Sequence, residues 1–196
     1  HPAERRIRSM ILHCVRPARE GGVNTLLDHE IAYILLRDRS SDHIRALMAS
    51  DAMTIPARQD DAGVARPAQS GPVFSVDAED GALHMRYTAR TRSIVWKNDA
   101  ATRAAVALLA SLLADGALPW VLRVRLQAGM GLVGHNLLHA RSAFDDDPAA
   151  PRLLYRYWKD SRLDAQRNVP QQHVLIVGAG RAGETLVRDL RRDNRY

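Results

Sequence analysis

The residues of this chain that could do chemistry are concentrated near its C-terminal third. His139 ends an apolar run that begins at Gly131, and an imidazole at the end of a strand can face a cavity and bind a metal ion. Arg152 and Arg156 follow, four residues apart, so in an extended strand both would lie on one face. Two guanidinium groups on a core strand need carboxylate partners. The arginine pair indicates a clamp for a carboxylate ligand, and surface salt bridges are the alternative. For His139 the alternative is a purely structural role.

The elements that would position these residues are mainly strands. Apolar segments broken by Gly, Pro and Asp predict antiparallel strands at 10–15, 53–55, 73–76, 83–87, 120–126, 131–138 and 152–158. Helices are predicted from about Asp28, from Ser40, and from Asp99 through 100–114, while the polar segment 59–72 is predicted to be an exposed loop. The fold class expected is therefore mainly β with flanking helices.

Three runs of residues carry a resemblance to a known family. The run HARSAF, which starts at His139, and the run RLLYR, from Arg152 to Arg156, resemble the distal motif of the taurine dioxygenase-like (TauD/TfdA) superfamily. The run RPAREGG, which starts at Arg16, resembles the strand and turn that follow the first metal motif of that family. The likeness extends from about residue 7 to residue 160.

The resemblance implies a fold, a reaction and a set of roles. Members of this family have a double-stranded β-helix (jelly roll) and hydroxylate small metabolites with Fe(II) and the co-substrate 2-oxoglutarate. By this resemblance His139 would be the distal iron ligand and Arg152 would pair with the distal carboxylate of 2-oxoglutarate. Arg156 would face the co-substrate or the primary substrate. Asn24 stands where the family commonly has a threonine that contacts 2-oxoglutarate.

The first two iron ligands of the family come as a His-x-Asp or His-x-Glu motif, upstream of the strand that contains Cys14. This chain begins HPAE, with alanine at position 3, so the motif is expected just before residue 1. Residues 1–160 are therefore expected to be the C-terminal portion of a jelly-roll dioxygenase domain, and inactive as written. A jelly roll that binds a ligand without catalysis is an alternative.

The C-terminal residues suggest a different fold. After a polar linker at 161–172, residues 173–196 contain VLIVGAGRAG, which matches the glycine fingerprint of dinucleotide-binding domains. The segment resembles the start of the Rossmann domain of nucleotide-sugar epimerases and dehydratases. It predicts an isolated, truncated βα unit without a working NAD(P) site. A fragment of such an NAD(P)-binding enzyme is the other alternative function.

Composition limits the classes of partner. The net charge of +6 is spread along the chain, and aromatic residues make up only 5%, which argues against a nucleic-acid surface. The longest apolar stretch, 104–114, is too short for a membrane span, and no secretory leader opens the sequence. The single cysteine, Cys14, is typical of a reducing compartment. We therefore expect a cytoplasmic protein with a small-molecule substrate; the pattern leaves the oligomeric state open.

Overall fold

A computed structural model describes residues 9–60, 63–78, 81–88, 94–114, 118–159 and 174–177. The chain divides into two compact units. The first unit combines the chain up to Asp28 with the chain from Pro119 onward, and the second runs from His29 to Leu118.

The described part of the first unit contains nine strands: β1 (Ser9–Arg16), β2 (Glu20–Gly21), β3 (Asn24–Leu27), β11 (Leu122–Val124), β12 (Gly131–Gly134), β13 (Leu138–Arg141), β14 (Phe144–Asp145), β15 (Leu153–Lys159) and β16 (Val174–Val177). The described part of the second unit contains three helices and seven strands: α1 (His29–Arg39), α2 (Ser41–Met48), β4 (Met53–Ile55), β5 (Arg58–Asp60), β6 (Gly63–Arg66), β7 (Gln69–Gly71), β8 (Phe74–Val76), β9 (Leu83–Met85), β10 (Val95–Trp96) and α3 (Ala100–Ala114).

Two sheets of the first unit share one apolar core. One sheet has the strand order β15-β1-β12-β16 and the other has the order β11-β3-β13. Side chains alternate across a strand, so every second residue of β1 is buried. The core contains residues from both sheets and from the segment between them: Met10, Leu12, Cys14, Leu26, Leu126 and Leu132. Strands of opposite direction packed around one core confirm the predicted, partial jelly roll.

The C-terminal strand differs from the isolated unit that the sequence predicts. β16 pairs in parallel with β12, with Val174 opposite Gly131 and Val177 opposite Gly134. An apolar strand whose backbone groups have no partner is unfavourable, and the edge of this sheet supplies the partner. The glycines of the fingerprint and the helix expected after them lie outside the described residues.

The second unit shows the predicted helices and more strands than predicted. Ser40 caps α2 by accepting a hydrogen bond from the Asp42 amide, and Asp99 caps α3 through the Thr102 amide at 2.7 Å. The prediction of an exposed loop at 59–72 is wrong, because β7 pairs with β4 and β5 pairs with β6 within it. These strands are too short and polar to show an alternating pattern. No helix in the described part of the chain is long and apolar enough to cross a membrane.

Candidate active site

A glycine turn after β1 shapes a concave surface of the first unit. Gly21 and Gly22 both have positive φ angles, +70° and +68°, a region that favours glycine. A Cβ at Gly21 would lie 2.3 Å from the Ala143 carbonyl oxygen, so only glycine fits there. The Gly22 amide donates a hydrogen bond to the same oxygen at 3.0 Å. The turn thereby joins β2 to β14, with Gly21 opposite Phe144.

This turn forms one wall of a small depression that is partly open to solvent. Two of the four residues assigned to the site by the sequence, Asn24 and Arg152, line it together. The other lining residues are those of the turn and its neighbours: Pro17, Ala18, Gly21, Gly22, Arg125, Leu126 and Leu154. A cation, an amide and apolar side chains in one concave surface suit a small anionic ligand with a hydrocarbon chain.

Asn24 is the buried polar residue of this cavity, with 5% of its surface exposed. It begins β3, the central strand of its sheet, between Val124 of β11 and Arg141 of β13. Its Nδ2 donates to the Val124 carbonyl oxygen at 3.3 Å. That bond fixes the orientation of the amide, and the amide contributes a polar atom to the cavity wall.

Arg152 is held at the cavity by its own backbone. Its amide donates to the Asp146 carboxylate at 3.0 Å, and the preceding carbonyl, of Pro151, accepts a 2.7 Å bond from Nε of Arg16. The side chain is half-buried. Burial, and then the nearby Arg141 guanidinium, lowers the pKa of Arg152. Both causes disfavour the cation, and a bound carboxylate would offset both.

Arg125 also lines the cavity, although no motif of the sequence pointed to it. Its Nη2 donates to the carbonyl oxygens of Ala18 at 2.6 Å and Arg19 at 2.8 Å. It therefore ties the strand region after β11 to the turn after β1. Its position in an alternating stretch of residues carries no signal of this contact, which depends on pairing distant parts of the chain.

His139 lies on β13 directly opposite Leu26 of β3, and Arg141 lies opposite Asn24. Opposite residues of an antiparallel pair project from the same face, so His139 shares a sheet face with Asn24. The imidazole is exposed, and its Nδ1 is 3.5 Å from the Leu137 carbonyl oxygen. Donation from Nδ1 would leave Nε2 unprotonated and able to bind a metal.

The described residues supply only part of what an iron and 2-oxoglutarate site requires. No three His, Cys, Asp or Glu side chains of the described ranges come together as a metal site. His139 therefore supplies one candidate iron ligand within this part of the chain. The chemistry of the cavity suits one carboxylate of 2-oxoglutarate, since Arg152 supplies the cation that a carboxylate needs.

Arg156 lies on β15 opposite Leu12 of β1. Leu154, two residues earlier, is opposite Cys14 and lines the cavity, so Arg156 faces the same side of the sheet. Its side chain is exposed and is not among the residues that line the cavity. The structure thus places Arg156 two residues beyond Leu154 on the same face of β15, outside the cavity that Asn24 and Arg152 line.

Cys14 lies under the cavity and is fully buried. Its thiol is 3.6 Å from the Leu126 carbonyl oxygen, to which it donates. Burial raises the pKa of Cys14, while the Arg152 guanidinium acts in the opposite direction. A buried thiol of raised pKa is a packing residue rather than a nucleophile.

Comparison with known proteins gives consistent matches. Residues 3–158 match the family of the taurine catabolism dioxygenase TauD, TfdA. A uridine-5'-phosphate dioxygenase from an Amycolatopsis species is 35% identical over 160 residues, which cover 76% of this chain and 54% of that protein. The family match ends before the glycine fingerprint, and these comparisons do not support the likeness to nucleotide-sugar epimerases.

Solved structures share the fold. An asparagine oxygenase in complex with Fe(II), 3-hydroxyasparagine and succinate superposes with a TM-score of 0.56 at 20% identity, covering 89% of this chain and 53% of that one. The non-heme iron oxygenase OrfP in complex with Fe gives a TM-score of 0.53 at 19% identity, covering 81% and 47%. The chain thus spans about half the length of the relatives it matches.

Proposed function

The chain belongs to the TauD/TfdA dioxygenase family, and from that premise we propose that the protein is an Fe(II)- and 2-oxoglutarate-dependent dioxygenase that hydroxylates a small metabolite. The observation that carries the proposal is the cavity of the first unit, where Arg152 and the buried Asn24 meet. The two residues are far apart in sequence; Arg152 belongs to the run that resembles the distal motif, and Asn24 stands two residues after the glycine turn, where the family commonly has a threonine.

Each site residue has a proposed role. Arg152 pairs with the distal carboxylate of 2-oxoglutarate, where two parallel hydrogen bonds from a guanidinium are strongest. Asn24 contacts the same co-substrate from the opposite wall. His139 contributes one iron ligand from the sheet face that also carries Asn24. Arg156, farther along β15, contacts the primary substrate.

Iron, when bound, supplies the activation of O₂ that this chemistry requires. The remaining iron ligands are proposed to lie outside the described residues, in a His-x-Asp or His-x-Glu motif. The contribution of the described residues is to bind and orient the co-substrate, and the apolar wall formed by Leu126 and Leu154 keeps its hydrocarbon chain from water.

The proposed substrate class comes from the uridine-5'-phosphate dioxygenase that is 35% identical to this chain. Because that protein is a uridine-5'-phosphate dioxygenase, a nucleoside monophosphate is the first substrate to test. Such a substrate is anionic, and the net charge of +6 favours its approach. Arg156 would then provide a cation for the phosphate.

The test is a turnover assay with the full-length protein, Fe(II), ascorbate and 2-oxoglutarate, in which succinate is measured with and without uridine-5'-phosphate. We expect succinate formation that depends on iron and increases with the nucleotide. Succinate formation that the nucleotide does not increase would support the dioxygenase activity and exclude uridine-5'-phosphate as the substrate. A folded protein that binds 2-oxoglutarate without turnover would instead be a non-catalytic jelly roll.

The protein is further proposed to work in a reducing compartment such as the cytoplasm. Its one cysteine, Cys14, is a free thiol buried in the core of the first unit. The proposed partner is a small molecule, with no role for nucleic acid.

A further inference from the structure

One aromatic ring carries two cations beside the cavity. The guanidinium carbon of Arg141 lies 4.2 Å from the centroid of the Phe144 ring, and that of Arg152 lies 5.0 Å from the same centroid. Both distances are within the range of cation–π attraction, which is about 6 Å. A single ring therefore holds the arginine that lines the cavity together with a second arginine that does not.

Three separate parts of the backbone bring these side chains together. Phe144 is fixed by the pairing of β14 with β2, where it lies opposite Gly21. Arg141 ends β13, opposite Asn24. Arg152 follows the loop that Asp146 closes by accepting its amide hydrogen bond. The convergence of three elements on one ring is a property of the fold rather than of a local run of sequence.

The glycine turn lies beside both side chains. A Cβ built at Gly22 would lie 3.7 Å from Cβ of Phe144 and 3.9 Å from Nε of Arg152, both ordinary contact distances. Phe144 and Arg152 are therefore neighbours of Gly22 as well as of each other.

The two cations oppose each other, and the ring offsets part of that repulsion. Arg141 acts on Arg152 by direct charge repulsion. Each guanidinium is attracted to the negative face of the aromatic ring. A bound anion would gain from both charges, because at these distances their fields add.

We propose that Phe144 is a positioning residue, whose ring holds the Arg152 guanidinium at the cavity and the Arg141 guanidinium next to it, so that both cations contribute to the affinity for 2-oxoglutarate. Arg152 alone contacts the carboxylate; Arg141 acts through its charge and Phe144 through its ring. The inference rests on the proposed function, since it assigns Arg152 to the co-substrate.

The experiment measures 2-oxoglutarate binding by calorimetry to the full-length, iron-free protein, so that the readout does not require turnover. Phe144→Leu removes the ring and keeps an apolar side chain, and Phe144→Tyr keeps the ring. Tyr155→Leu is the matched control, because Tyr155 is an exposed aromatic residue of β15 in the same unit. Arg141→Gln removes the second charge, and Arg152→Gln tests the proposed function itself.

We expect Phe144→Leu to raise the dissociation constant roughly tenfold, as the loss of a cation–π contact of this size requires. Phe144→Tyr and Tyr155→Leu should stay within about twofold of wild type, and Arg141→Gln should weaken binding roughly threefold. In turnover, Phe144→Leu should raise KM for 2-oxoglutarate and leave kcat at saturation nearly unchanged.

Fluorinated phenylalanines at position 144 separate the ring's charge from its shape. One, two and three fluorines progressively weaken the negative face, so affinity should fall stepwise with fluorine number. This series also decides the matter if Phe144→Leu does not fold. Equal affinity along the series, or Phe144→Leu binding like wild type, overturns the inference. If Arg152→Gln itself leaves binding unchanged, the assignment of Arg152 in the proposed function fails instead.

Discussion

Asn24 lies directly opposite Arg141 in the antiparallel pair of β3 and β13, so their side chains project from the same face of the three-stranded sheet. His139, opposite Leu26, shares that face. β3, which follows the glycine turn, therefore pairs directly with β13, the strand that carries His139 and Arg141 of the distal motif. The candidate iron ligand and one candidate co-substrate contact are thereby placed on one surface, which is the arrangement the proposed dioxygenase needs.

Replacing Arg152 with lysine should weaken 2-oxoglutarate binding roughly tenfold, because the ammonium keeps the charge but loses one of two charge-assisted hydrogen bonds to the carboxylate. Arg152→Gln, which also removes the charge, should be weaker still. Calorimetry on the iron-free protein measures both. Arg123→Lys serves as control, since Arg123 lies on β11 and does not line the cavity. Wild-type affinity in Arg152→Lys would exclude bidentate recognition by this residue.

Asn24→Asp should abolish most 2-oxoglutarate binding with little change in shape. It removes the Nδ2 donor to Val124 and adds a negative charge to the cavity that is to hold a carboxylate. Asn24→Ala, which adds no charge, should reduce the free energy of unfolding by about 1 kcal/mol through the lost hydrogen bond. Urea denaturation and calorimetry measure these effects separately. Equal 2-oxoglutarate affinities of the two variants would mean that a charge at residue 24 does not affect binding of the ligand.

Gly21→Ala should destabilise the first unit more than Gly129→Ala. Both glycines have positive φ, +70° and +84°, so both substitutions strain the backbone by about 1 to 2 kcal/mol. At Gly21 the new Cβ would also meet the Ala143 carbonyl oxygen at 2.3 Å, whereas nothing lies within 4 Å at Gly129. The difference between the two unfolding free energies isolates this clash. Equal destabilisation would show that β2 and β14 are not held as close as the structure has them.

The cap of α3 should make stability depend on pH. The hydrogen bond from the Thr102 amide lowers the pKa of Asp99 below its unfolded value. The stabilisation is therefore complete above the ordinary aspartate pKa and is lost as the pH falls through the lowered, folded-state pKa. Wild type should melt above Asp99→Ala at neutral pH, and the gap should close in acid.

Asp99→Asn is the matched control for this pH effect, since asparagine caps helices as well as aspartate and does not ionise in this range. Its advantage over Asp99→Ala should persist as the pH falls. A gap between wild type and Asp99→Ala that stays constant down to strongly acidic pH would contradict the role of the Asp99 carboxylate.

Elements with a strong local signal could be predicted from the sequence. The apolar run at 10–15 indicates β1, and Ser40 and Asp99 mark helix starts through their capping chemistry. The short strands β5, β6 and β7 could not be predicted, because their polar residues are strands only through pairing with one another and with β4. The predicted strand 131–138 is also interrupted, since a bend at Asn136, with φ of 50°, separates β12 from β13.

The site could be predicted in part. The distal motif pointed to His139, Arg152 and Arg156, and the glycine turn pointed to Asn24. The contacts of Arg125 with the turn and of Phe144 with two arginines could not be foreseen, because each depends on strands that are distant in sequence. Phe144 was visible in the motif, but its role depends on the pairing of β14 with β2.

The most direct test of the account is iron-dependent succinate formation by the full-length protein with His139 replaced by alanine. His135→Ala is the matched control: His135 lies four residues earlier, in the bend between β12 and β13, and has no assigned role at the metal. We expect His139→Ala to reduce the rate of succinate formation at least about 100-fold, because loss of a metal ligand costs at least as much as loss of a residue that supports one. His135→Ala should retain turnover. Full turnover in His139→Ala would contradict the assignment of His139 as an iron ligand and, with it, the proposed dioxygenase site.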